Sequence, residues 1–385
     1  MGRRAAVIVL DAVGAGELPD AAAFGDAGSS TLAHVAAAVG GLELPHLQAL
    51  GLGNVLTLAG CPPEPAAPSV AGRLRERSQG KDTTTGHWEL MGIVTEVAMP
   101  TYPDGFPADV IERFAAATGR GVIGNVAASG TEIITRLGEE HQRTGSFIVY
   151  TSADSVFQIA AHEQTVPIDE LYAACAIARG QLVGEHAVGR VIARPFEGVP
   201  GAYARTTRRH DFSLEPPRPN HLTRIREAGA PVTGVGKIAD VFAGLDVDRS
   251  HPTSSNAEGI ALTTELLRSA EDGLIFVNLV ETDMTYGHRN DPAGFHRCLQ
   301  EFDRAVPALL AALRRDDLLV ITSDHGCDPT TPSTDHSREH ALLLAHSPGR
   351  PGSARHDGWF ADVGATVATW LGARGGALAG DVIEI

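Results

Sequence analysis

The chain has 385 residues, a formal net charge of −16 and 43% hydrophobic residues. That length holds two domains, or one large domain carrying an insertion, around a substantial core, and the acidic balance argues against a nucleic-acid-binding surface. Four cysteines, Cys61, Cys175, Cys298 and Cys327, lack CxxC spacing, so neither a disulfide framework nor a thiolate zinc site is expected.

Ala5–Leu10 is apolar throughout and predicts a strand buried on both faces. Asp11 breaks the run too early for a signal peptide, and no segment is long enough to span a membrane, which predicts a soluble cytoplasmic protein. Alone, Asp11 reads as a helix cap; beside the similar Asp324 it reads as a metal ligand at a strand end. Thr31–Leu50 carries two short helical patterns split by Gly40-Gly41, and the Pro- and Ala-rich Cys61–Ser69 reads as a surface loop. Gly80–Glu89, GKDTTTGHWE, follows. It suits a helix N-terminus that receives a phosphate, with a hydroxyl near a divalent metal as nucleophile. It also suits a polar turn, and spacing alone leaves both open.

The character changes between Pro100 and Pro216. Helices are expected at Phe106–Thr118 and Pro167–Arg179, a strand at Ser146–Thr151, and a weakly alternating stretch at Val188–Phe196. This reads as an inserted α+β module whose polar groups could face a ligand; Arg190, Arg194 and Arg205 could equally be surface charges. The α/β rhythm returns with a strand at Pro231–Ile238 carrying Lys237, a helix at Ser255–Ser269 and the clearest buried strand, Leu274–Val280. That strand runs into Glu281, Asp283 and His288. A long helix, Asp291–Arg314, leads to the strand Leu318–Ile321 and then to Asp324-His325, and Asp362–Leu371 is the last helix. The Pro- and Thr-rich loop after Asp324 can fold Asp335-His336 back over the strand end.

Carboxylates and imidazoles therefore follow three strands, where open α/β sheets place their chemistry. Asp11, Asp283, His288, Asp324, His325 and His336 can supply two divalent ions that accept both oxygen and imidazole, such as manganese or zinc. A metal pair clamps the attacking and leaving oxygens of phosphoryl transfer.

DAVGAGELPD, GLGN, GKDTTTGHWE, GTEI, YTSADSVFQIAAHE, GRVIARPF, GKIAD, NLVETDMTYGHRNDP, TSDHGCDP and TDHSREH run through nearly the whole chain. On these segments it resembles the phosphopentomutases of the alkaline phosphatase superfamily. The resemblance implies an alkaline-phosphatase-like α/β core with a doubly wound sheet, formed by residues 1–97 and 215–385. Residues 98–214 would be the inserted α+β cap, closing to exclude water. Asp11, Asp324 and His325 would hold one metal, and Asp283, His288 and His336 the other, with Mn2+ in both. Thr83 would be the phosphorylated nucleophile, primed by a sugar bisphosphate. Ser152, Asp154, Arg190, Ile192, Arg205 and Lys237 would bind the pentose phosphate. No nucleic-acid or membrane partner is implied. The chain departs from the family at Glu281-Thr282, where relatives usually show Asp-Phe ahead of the metal-binding Asp. The activity implied is interconversion of the 1- and 5-phosphates of ribose or 2-deoxyribose. A phosphomonoesterase could use the same core. A phosphoglycerate mutase would normally carry serine as nucleophile, and a non-catalytic binder would need none.

Overall fold

The computed structural model describes residues 3–152, 154–269, 271–352, 354–373 and 376–385. The chain forms two compact units, Met1–Ala98 with Pro216–Ile385, and Met99–Glu215.

The first unit is built on a nine-stranded sheet. Its order is Arg249–His251, Val232–Val235, Gly273–Leu279, Arg4–Leu10, Leu318–Thr322, Glu339–His346, Ser69–Arg75 and Gly358–Trp359, with Gly14–Glu17 pairing beside Glu339–His346. The first five strands run parallel, and Glu339–His346 returns antiparallel. Arg4–Leu10, Gly273–Leu279 and Leu318–Thr322 are buried at every residue, which is why they read as continuous apolar runs rather than alternating ones. On one face Ile8, Leu10, Val277 and Ile321 join a core with Phe295, Leu299 and Phe302 of the helix Pro292–Ala311. The helix Ala361–Trp370 also packs against Arg4–Leu10 and Leu318–Thr322.

Several expected elements shorten at identifiable residues. The strand expected over Pro231–Ile238 spans only Val232–Val235, because Gly236 turns at φ +77° and Ile238–Val241 becomes a helical turn. Ser255 caps the next helix, its side chain accepting from Glu258 N. Two of the strands that were not foreseen lie beside the central ones. Ser69–Arg75 begins where a loop was expected to end, and Glu339–His346 follows the metal-type motif directly.

The second unit has its own sheet, ordered Val122–Ala127, Phe147–Thr151, Val156–His162, Arg190–Glu197 and Ala204–Arg205, with His210–Ser213 also on Arg190–Glu197. Its strands alternate between two small cores. Phe147, Val149, Phe157 and Ile159 face Phe106 and Phe114, whereas Ile148, Tyr150 and Ala160 join Ile133 and Phe196. Among the described residues no helix of either unit is long and apolar enough to cross a membrane.

Candidate active site

Sheet register brings the three motif strands to one level. Leu10 lies opposite Leu279, and Val9 opposite Thr322. Asp11 and Asp324 leave the sheet together, and the short helical turn Thr282–Tyr286 brings Asp283 to the same edge. Ala12 turns at φ +64°, and its N–H donates to Asp324 Oδ1 at 3.1 Å. The loop after Asp324 folds back as a bridge between Gly326 and Ser337, so the His325 and His336 rings lie 4.1 Å apart.

Ligand atoms of Asp11, Asp324 and His325 lie within 4.8 Å of one another, as do those of Asp283, His325 and His336. His325 Nε2 is 3.3 Å from Asp11 Oδ1 and 3.5 Å from Asp324 Oδ2. Asp283 Oδ1 is 3.3 Å from His288 Nε2 and 3.4 Å from His336 Nε2. Ligands about 2.0–2.1 Å from a tetrahedral ion stand roughly 3.4 Å apart. Asp11 Oδ1, Asp283 Oδ1 and Asp324 Oδ2 are buried without an oriented hydrogen bond among the described residues. Buried carboxylate oxygens left this way need a cation, so the donor set fits a pair of divalent ions.

The surrounding groups fix how the donors point. His325 Nδ1 meets the Gly326 carbonyl at 3.0 Å, and His288 Nδ1 meets the Thr334 carbonyl at 2.6 Å. A carbonyl only accepts, so Nδ1–H donates and each Nε2 keeps its lone pair for the site. Asn278 Nδ2 donates to Asp11 Oδ2 at 2.8 Å. His87 Nδ1 lies 3.0 Å from Asp324 Oδ2 and 2.9 Å from the Thr83 carbonyl. Thr282 Oγ1 donates to the Asp11 carbonyl at 2.6 Å. Thr282 thereby ties two of the three strand ends together.

The electrostatics record crowded anions. Burial raises Asp11 above the usual carboxylate value, and neighbouring Asp324 adds to this. Burial would also raise Asp283, but the close approach of the His288 and His336 imidazoles holds it well below. Asp283 in turn pushes His288 up to about 11. Divalent ions bound there would supply the counter-charge that the crowded carboxylates call for.

Thr83 opens the helix Thr83–Leu90, which Asp82 caps through the N–H groups of Thr84 and Thr85. Thr83 Oγ1 lies 3.3 Å from His325 Nε2. The Thr85 hydroxyl is turned away, donating to Asp82 Oδ2 at 2.6 Å.

Residues 3–374 match the model of the metalloenzyme superfamily. The phosphopentomutase of Anaeromyxobacter dehalogenans is 57% identical, the alignment covering 97% of each chain. That of Carboxydothermus hydrogenoformans is 54% identical over the same shares. The chain belongs to the phosphopentomutase family. Phosphopentomutases are metal-dependent phosphotransferases of the isomerase class. The fold is accordingly alkaline-phosphatase-like. Leishmania mexicana phosphoglycerate mutase matches it with a TM-score of 0.52 at 13% identity, covering 100% of this chain and 98% of the other.

The remaining positions expected from the resemblance divide between the units. Ser152, Asp154 and Arg190 gather in the second, with Arg190 Nη2 3.6 Å from Asp154 Oδ2. The Ser152 hydroxyl accepts from Asp154 N at 3.4 Å. Ile192 is buried in the strand Arg190–Glu197, and Arg205 is exposed on Ala204–Arg205. Lys237 precedes the helical turn Ile238–Val241 of the first unit. Sequence reasoning passed over His87, Asn278 and Cys327, all buried around the ligand cluster. All three lie inside motifs quoted above, but nothing in their spacing shows which ligand they touch.

Proposed function

We propose that the protein interconverts the 1- and 5-phosphates of ribose or 2-deoxyribose through a phosphorylated Thr83 and a sugar bisphosphate. The observation that carries this reading is one threonine hydroxyl, at a helix N-terminus, beside a buried carboxylate–imidazole cluster. Asp11, Asp324 and His325 would hold one ion, and Asp283, His288 and His336 another. Bound manganese there would neutralise the phosphoryl oxygens and lower the charge barrier to their approach.

Thr83 carries the phosphoryl group between half-reactions, at the positive end of its helix. A free sugar hydroxyl attacks the phosphorus as the P–Oγ1 bond breaks, and its proton ends on Oγ1, leaving Thr83 as the hydroxyl. The resulting bisphosphate reorients, and Oγ1 takes the other phosphoryl group. Ser152, Asp154, Arg190, Ile192, Arg205 and Lys237 recognise the sugar and its non-reacting phosphate, whose charge this acidic chain otherwise repels. A bisphosphate primes the cycle.

Phosphorus NMR of ribose 5-phosphate with chelator-treated protein, manganese and catalytic sugar bisphosphate tests the reading. The 1-phosphate resonance should grow, and only when metal is restored. Inorganic phosphate appearing in its place would show a hydrolase, and an unchanged spectrum a binder.

A further inference from the structure

Asp283 belongs to a second cluster besides the one with His325 and His336. Its carboxylate, His288 and the Cys327 thiol bring their ligand atoms within 4.8 Å of one another. Cys327 is buried, and its backbone N–H donates to the Ala12 carbonyl at 3.2 Å, anchoring it beside the Asp11 strand end. The turn carrying His288 lies directly against the sulfur. A Cβ on Gly287 would stand 2.9 Å from Cys327 Sγ and 3.1 Å from its Cβ, so only glycine allows this approach. The buried Asp283 Oδ1 has no oriented hydrogen bond among the described residues, and His288 presents Nε2, because its Nδ1–H is used on Thr334. The thiol also reaches the Asp335 carbonyl, at a long 3.6 Å.

We propose that Cys327 is a further protein donor to the ion held by Asp283 and His288, giving that position a preference for thiophilic divalent cations, such as zinc or cadmium, which the Asp11–Asp324–His325 position lacks. This rests on the two-metal reading above. Binding forms a sulfur–metal bond and releases the thiol proton to solvent. Oxygen and imidazole alone suit manganese and zinc, whereas thiolate shifts selection toward softer ions. The two positions then differ in kind: one has only oxygen and nitrogen donors, and the other adds sulfur.

Chelator-treated full-length protein titrated with cadmium alone tests this. Equilibrium dialysis should count two bound ions, and an ultraviolet sulfur-to-cadmium charge-transfer band should grow with only one of them. Cys327→Ser should lose the band while still binding cadmium, and its zinc affinity at one position should fall about tenfold or more with manganese affinity little changed. Cys298→Ser, away from the cluster, should keep the band. Cadmium NMR of the wild-type protein reads the donor atom directly, so a misfolded variant leaves the test intact. Cadmium bound with only oxygen and nitrogen shifts and no band, or a band persisting in folded Cys327→Ser, overturns the role of Cys327 but spares the two-metal reading. Absence of any bound cadmium overturns both.

Discussion

Thr83, Thr84 and Thr85 carry the same hydroxyl, but their surroundings differ. Only Thr83 places Oγ1 against His325, while Thr85 spends its hydroxyl on the capping Asp82. Thr83→Ala should abolish both phosphoryl incorporation from a sugar bisphosphate and isomerisation. Thr84→Ala and Thr85→Ala should keep measurable activity, with Thr85→Ala losing about 1 kcal/mol of stability with its hydrogen bond. Peptide mass spectrometry and melting curves read the two effects separately, and phosphate mapped to Thr84 or Thr85 would refute the assignment. Asp324 has a different kind of dependence. It is fully buried and receives contacts from Ala12, His87 and His325. Asp324→Ala removes a donor that the rest of one ligand set cannot replace, so metal analysis should show bound ion falling together with activity. Unchanged stoichiometry would remove Asp324 from the centre. Arg205 sits exposed in the second unit. Arg205→Ala should raise KM with metal content unaltered, and unchanged kinetics would remove it from the substrate set.

The helix Thr83–Leu90 is positioned by a close backbone approach. A Cβ on Gly86 would stand 2.1 Å from the Asp324 carbonyl oxygen, so only glycine lets the helix lie against the strand end. Gly86→Ala would improve helix propensity in isolation. In this fold it should instead push Thr83 away from His325, and a shift near 1 Å costs roughly 10²-fold in rate. Steady-state kinetics should show that loss mainly in kcat, and near wild-type turnover would mean the helix is not held by this contact. The capping at Asp82 is the complementary device, fixing where the helix begins and hence which threonine faces the ligands.

Across the whole first unit, distant segments are joined by buried charges. Arg4 opens the central strand and is buried against Asp317, with Nε 3.1 Å from Oδ2 and Nη1 3.0 Å from the Ser269 carbonyl. Removing one partner of such a pair strands the other charge, so Arg4→Met should lower the unfolding free energy by about 3–5 kcal/mol. Chemical denaturation checks this, and a change under 1 kcal/mol would show the pair to be dispensable. Asp362 ties the C-terminal segment to the sheet. Burial would raise its carboxyl, but hydrogen bonds from His356, Asp381 N and Trp359 N hold it below the ordinary 3.8. A carboxyl lowered by folding stabilises above its unfolded pKa, and that stability is lost as pH falls through the folded pKa. The stability gap between wild type and Asp362→Asn should therefore be largest near neutrality and close below about pH 4. A gap independent of pH would mean that the charge contributes nothing.

The sequence by itself determined the buried strands, because short apolar runs rich in branched residues and ended by polar ones suit a sheet covered on both faces. It also marked Asp11, Asp283, Asp324, His325 and His336 as ligand types after those strands. The strand Glu339–His346 was hidden because its burial depends on partners at Leu318–Thr322 and Ser69–Arg75, far off in the chain. Only tertiary structure decided that His87 touches Asp324, that Thr282 holds the Asp11 carbonyl and that Cys327 faces Asp283. A single His, Thr or Cys carries no periodicity. What it does is set by the side chains that sheet register and loop return bring to it, and neither is written in local spacing.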